Sequence, residues 1–175
     1  MRDLRSRDSE NVLGYSNLFH GLYERVVLRY PLLSGAALRN RLHKTDGENM
    51  SRINWNSRVF YCDGGCLSND KKEGRVAYGS ISDGENVIRY SWPQCNSNNE
   101  AEFQTLYSLL VSLDLNAPGN RPTIYMDSKL VVNSLTKGWK IKSPNLKPFW
   151  ELCIKFLKTE LRWVPRDVIE GKLGH

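Results

Sequence analysis

No stretch of this 175-residue chain is apolar for long enough to cross a bilayer as a helix, which takes roughly 20 residues in a row, so a membrane-spanning helix is not expected. The opening residues, MRDLRSRDSE, carry mixed charge with no apolar run behind them, unlike a secretory leader. Cysteine is sparse. Cys62, Cys66, Cys95 and Cys153 form no C-x-x-C pair and have no histidines at ligand spacing, so a structural zinc site is not expected. Reduced thiols in a cytoplasmic protein are the simpler expectation. Acidic residues are outnumbered, 19 to 25 Lys plus Arg, for a net charge of +6 and a pI near 9.2. That balance permits an anionic partner such as nucleic acid, and it fits an ordinary soluble basic protein equally well.

With 40% hydrophobic residues, the chain can bury one ordinary core but has little room for a second. Its character changes near residue 50. Before that point Phe19, Leu22, Tyr23, Val26, Val27 and Tyr30 recur at helical spacing, ahead of Pro31. A second apolar and basic segment, LLSGAALRNRLHK, follows. Residues 1–50 are therefore expected to form a helical extension, and its sequence assigns it no role. Residues 51–57, at the end of the Gly, Asn and Ser-rich TDGENMSRINWNS, are expected to be a linker. The main domain is expected over residues 58–175.

From Arg58 the pattern is that of strands. RVFYCDGG, RVAYGSIS and NVIRYSW are β-branched and aromatic runs separated by turn residues, which predicts an antiparallel meander. The period then changes. In NNEAEFQTLYSLLVSLDL, Phe103, Leu106, Leu110 and Leu113 recur at steps of three and four, and APGNRP ends that amphipathic helix. TIYMD predicts a fourth strand, SKLVVNSLTKGW and NLKPFWELCIKFLKTE two helices, and LRWVP a fifth strand. The fold class expected is α/β: a mixed five-stranded sheet, three strands in a meander and then helices alternating with strands.

Three acids stand out by position. Asp63 is placed at the end of the first strand and Asp127 at the end of the fourth. Glu102 lies near the start of the long helix, on the face it shares with Leu106 and Leu109. Parallel neighbouring strands would bring Asp63 and Asp127 together where open α/β sheets place their sites. Each acid alone reads as a cap for backbone groups. Three converging carboxylates repel one another unless cations neutralise them, which points to a hard divalent ion, Mg²⁺ first.

The blocks YCDGGCLSN, SNNEAEF and YMDSKLVV, followed in order by WVPRD, resemble the type 1 ribonuclease H family, in its compact form without a basic protrusion. The resemblance covers residues 58–175. It implies an endonuclease that cuts the RNA strand of RNA/DNA hybrids with two metal ions roughly 3.5–4 Å apart, leaving 5′-phosphate and 3′-hydroxyl ends. By that match Asp63 bridges both ions, and Glu102 and Asp127 hold the one on the leaving-group side, with Mg²⁺ the expected ion and Mn²⁺ a substitute. Cys66, Asn69, Asn98 and Asn99 match positions that contact the hybrid; amide side chains suit a 2′-hydroxyl, which both donates and accepts. Asn98 also suits a helix cap. Lys129 could reach a phosphate, and a solvated lysine fits as well. Lys137, Lys140, Lys142 and Lys147 around Trp139 suit the DNA backbone or an ordinary solvated turn. The expected partner is the hybrid, and the expected state a monomer.

The family's fourth carboxylate is the exception. Compact relatives read W-V-P-R-E-x-N-x-x-A-D, which puts the aspartate where this chain has Leu173, with Ile169 and Lys172 in place of the Asn and Ala. Either the site has diverged, or an Ala-Asp and the fold's last helix lie beyond residue 175; the second reading, which explains both gaps, is the expectation. Asp167 and Glu170 are possible substitutes. As given, the chain is expected to be weakly active or inactive. The alternatives are a hybrid-binding domain without catalysis and another nuclease of the same fold. A 3′–5′ exonuclease usually has Glu two residues after the first Asp, where this chain has Gly65.

Overall fold

The computed structural model describes residues 52–68, 75–93 and 95–174. The helices expected before residue 50, and Asn69, lie outside them. Strands β1 (Val59–Ser68), β2 (Arg75–Ser82) and β3 (Val87–Pro93) form the meander. Helix α1 (Asn98–Asn116) leads to β4 (Thr123–Met126), then α2 (Lys129–Thr136), α3 (Lys147–Phe156) and β5 (Leu161–Trp163). The sheet order is β3-β2-β1-β4-β5, with β4 parallel to both β1 and β5.

Alternation along the strands builds the core. Phe60 and Cys62 of β1 and Ile124 and Met126 of β4 are buried on one face of the sheet. Phe103, Leu106, Leu110 and Leu113 of α1, the residues picked out by helical spacing, are buried in the same cluster. Each such side chain contributes about 1.5–3 kcal/mol when taken fully from water. Ile53 is buried in this core, Trp55 stacks on Phe60 at 6.0 Å between ring centroids, and Asn120 Nδ2 donates to the carbonyls of Trp55 and Ser57. The segment before β1 is thereby fastened to the approach of β4.

After β5 one more short helix follows. Arg166–Leu173 forms helix α4, with extended Pro165 before it and Gly174 in the left-handed conformation after it. Ile169 and Leu173, four apart, share one face and are buried where α4 packs on β1 and β2. Lys172 lies over the ring of Tyr61, so α4 covers the face of β1 opposite Phe60 and Cys62. Arg89 Nη2 donates to the carbonyls of Leu173 and Gly174, closing the helix end.

Candidate metal and active site

Register brings the first two acids together. Tyr61 of β1 pairs with Tyr125 of β4 in the parallel ladder, and two residues further along each chain stand Asp63 and Asp127. Asp63 is not at the end of its strand, as the sequence suggested. β1 runs on to Ser68 because β2 continues to pair with it, Asp63 opposite Ser80, after β4 has ended. Asp63 therefore sits where β1 leaves one neighbour and keeps the other.

Glu102 is brought in by glycine. Gly64 and Gly79 are cross-strand partners beneath α1, and a Cβ at Gly64 would lie 2.5 Å from the carbonyl oxygen of Ala101 and 2.6 Å from Thr105 Oγ1. At Gly79 it would lie 2.7 Å from the same hydroxyl. Only a bare backbone admits the helix this close, and Glu102 follows directly on the contact at Ala101. One carboxylate oxygen from each of Asp63, Glu102 and Asp127 lies within 4.8 Å of the others. Ser128 Oγ donates to Glu102 Oε2 at 2.5 Å, and Trp163 Nε1 donates to the carbonyl of Asp127 at 2.9 Å.

These acids oppose one another's charge. Burial, with the charges of Asp63 and Asp127 added, pushes the Glu102 carboxyl up to about 7, although Ser128 and Arg166 pull the other way. Burial first and Asp63 next also raise the Tyr78 phenol and the Cys62 thiol. A crowded, partly buried set of carboxylate oxygens that repel one another fits a hard divalent cation. Among the described residues no fourth acid joins it. Leu173, at the family's aspartate position, is fully buried under α4; Asp167 is exposed, and Glu170 accepts from Arg166 Nε at 2.8 Å.

The expected substrate contacts are distributed around this cluster. Asn98 Oδ1 accepts from the backbone N–H of Cys66 at 2.8 Å, joining the start of α1 to β1. Asn98 is not the cap: Ser97 Oγ accepts from Glu100 N, and Asn98 is the first helical residue. Asn99 is exposed beside it. Lys129 Nζ lies 4.7 Å from the centroid of the Trp163 ring. Trp139 is 49% exposed among the exposed Lys137, Lys140, Lys142 and Lys147, a surface open to a partner. Cys66 and Cys95 lie side by side, with a Cα separation of 6.4 Å, and Cys62 and Cys153 are buried without a bridge. Sequence spacing gave no hint of that proximity, because Cys95 comes alongside β1 only after the meander has turned back.

Three residues of this neighbourhood were given no role at the site from sequence. Glu100 is almost wholly buried, taking hydrogen bonds from Asn96 and Gln104 and so bracing the first turn of α1. Ser128 and Trp163 fasten the acids themselves. The small residue after Asp127, at a strand-to-helix junction, was the available signal for Ser128.

The family described as RNase H matches residues 56–165. The chain belongs to the RNase H family. It is 30% identical over 119 residues to Bifunctional protein Rv2228c of Mycobacterium tuberculosis, a match covering 62% of this chain and 31% of that protein. It thus spans about a third of the length of the curated relatives it matches. RNase H1 from Halobacterium salinarum superposes with a TM-score of 0.51 at 21% identity, covering 66% of this chain and 90% of the other. LC11-RNase H1 in complex with an RNA/DNA hybrid gives 0.50 at 21% identity, covering 65% and 89%. At these identities the structural likeness establishes the RNase H fold, with its mixed five-stranded sheet.

Proposed function

We propose that this RNase H chain hydrolyses the RNA strand of RNA/DNA hybrids with the help of divalent cations, Mg²⁺ in the first place, leaving 5′-phosphate and 3′-hydroxyl ends. The convergence of Asp63, Glu102 and Asp127 within 4.8 Å carries this reading, in a chain of the RNase H family. These three carboxylates would hold the cations, which activate water and offset negative charge on the leaving oxygen. The β1–β4 register and the close approach of α1 would keep that set assembled before substrate arrives. Asn99 and the amide of Asn98 would meet 2′-hydroxyls, and the hydrogen bond from Cys66 N to Asn98 Oδ1 supports this by holding that side chain beside β1. Lys129, steadied on the Trp163 ring, offers a cation next to Asp127 for a backbone phosphate.

A labelled hybrid, incubated with this chain and Mg²⁺ or Mn²⁺, tests the proposal against an Asp63→Asn control. The expected loss in the control is on the order of a thousandfold, about 4 kcal/mol of barrier. Equal cleavage by both chains would sink the metal mechanism. A second reading, hybrid binding without cleavage, draws on the buried Leu173 at the fourth carboxylate position. Unchanged hybrid affinity with no cut strand in either metal would favour it.

A further inference from the structure

Ser128 stands at the junction of β4 and α2, 6% exposed, with two partners for one hydroxyl. As N-cap of α2 it accepts from Val131 N, but at 3.4 Å, beyond the usual range for such a bond. Its proton goes to Glu102 Oε2 at 2.5 Å, at the short end of what a hydroxyl donating to a carboxylate makes. The side chain is therefore set for the glutamate rather than for the helix. It also spans two elements that carry acids: Ser128 follows Asp127 directly, and Glu102 belongs to α1, 26 positions away in sequence. Like charge on Asp63 and Asp127 drives the Glu102 carboxylate outward, and its three side-chain torsions leave it free to go.

We propose that Ser128 is a positioning residue for the acid cluster, its hydroxyl holding Glu102 toward Asp63 and Asp127 in the orientation that binds a divalent cation. The inference rests on the functional reading above and deepens it. Ser128 acts through Glu102, as a partner that orients a ligand from behind.

Mn²⁺ binding, followed by the electron paramagnetic resonance of the free ion, tests this in the wild type, Ser128→Ala, Ser128→Thr and Asp63→Asn. The melting temperature without metal and the KM for hybrid are measured in parallel. Ser128→Ala is expected to weaken Mn²⁺ binding roughly 10–100-fold while moving the hybrid KM by less than about twofold. Ser128→Thr, which keeps the hydroxyl, is expected to restore most of the loss. Equal Mn²⁺ affinity in wild type and Ser128→Ala, with only a lower melting temperature, would reduce Ser128 to a helix cap and overturn the inference alone. Failure of threonine to recover what alanine loses would also overturn it. Equally weak binding by wild type and Asp63→Asn would instead overturn the functional reading, and the positioning role with it.

Discussion

Glu102 and Glu170 are both glutamates on helices packed against β1, on opposite faces of the same sheet, and they are held in opposite ways. Glu102 is gripped by residues distant in sequence: Ser128 from the β4–α2 junction, and Gly64 and Gly79, which let its helix approach. Glu170 is paired with Arg166 one turn earlier on its own helix. Tertiary structure fixes the first, and a local ion pair occupies the second. An acid becomes part of a site when the fold imposes its place against electrostatic cost. Glu102 carries that cost, and Glu170, neutralised by its neighbour, does not.

The largest effect expected from this contrast is on stability as a function of pH without metal. The Glu102 carboxyl is raised from 4.5 to about 7 in the folded chain, so between those values the folded state keeps a proton that the unfolded state has lost. Stability therefore falls as pH rises through that window and is level above it, by up to ~3 kcal/mol in total. Glu102→Gln removes the charge and should be the more stable chain at pH 8 in a chelator, and no more stable than wild type at pH 4. Denaturant unfolding at the two pH values measures this. A variant less stable than wild type at pH 8 would show that Glu102 is not under strain. Added Mg²⁺ should stabilise wild type and leave the variant less affected, since an ion bound only by the folded state raises its stability.

Gly64→Ala comes next, because it attacks the approach of α1 rather than the charge. The new methyl would meet a backbone carbonyl, which cannot swing aside as a side-chain tip would. The expected cost is about 1–3 kcal/mol, with loss of cation binding as Glu102 is carried away from Asp63. Thermal melting and Mn²⁺ titration on the same sample separate the two effects. Full cation binding in a destabilised variant would mean that the helix can shift without moving the acid.

Much of this was legible in the sequence because it depends on local pattern. The second strand was bounded at Arg75 and Ser82 from its residues alone, and the apolar steps of α1 gave the buried face. The alternation of strands and helices pointed to a mixed sheet, and the parallel pairing of β1 and β4, posed from sequence as the condition for bringing Asp63 to Asp127, is what the structure has. What was illegible depends on contacts across long stretches of chain. Asn98 looked like a cap because asparagine suits that role, yet its oxygen goes to Cys66, 32 positions earlier, and the cap falls to Ser97. The glycines of DGG read as turn formers, whereas Gly64 lies inside a strand as the seat of a helix. The segment after Pro165 was compared with a motif it lacks, and the spacing of Ile169 and Leu173, which makes it a helix with a buried face, went unused.

Glu170→Gln should have the smallest effect and is the sharpest check on the contrast. Its partner Arg166 is largely exposed and one turn away, so breaking the pair should change stability by no more than about 0.5 kcal/mol. The consequence lies elsewhere. Arg166 also acts on the acid cluster, lowering the Glu102 carboxyl, so a guanidinium freed from Glu170 can turn further toward Asp63 and Asp127 and compete with a cation there. Slightly weaker Mn²⁺ binding with unchanged melting is expected. If Glu170→Gln instead abolished Mn²⁺ binding as Asp63→Asn should, Glu170 would be the missing fourth ligand, reached by α4 turning on the sheet. Its pairing with Arg166 would then be the resting state of a site acid.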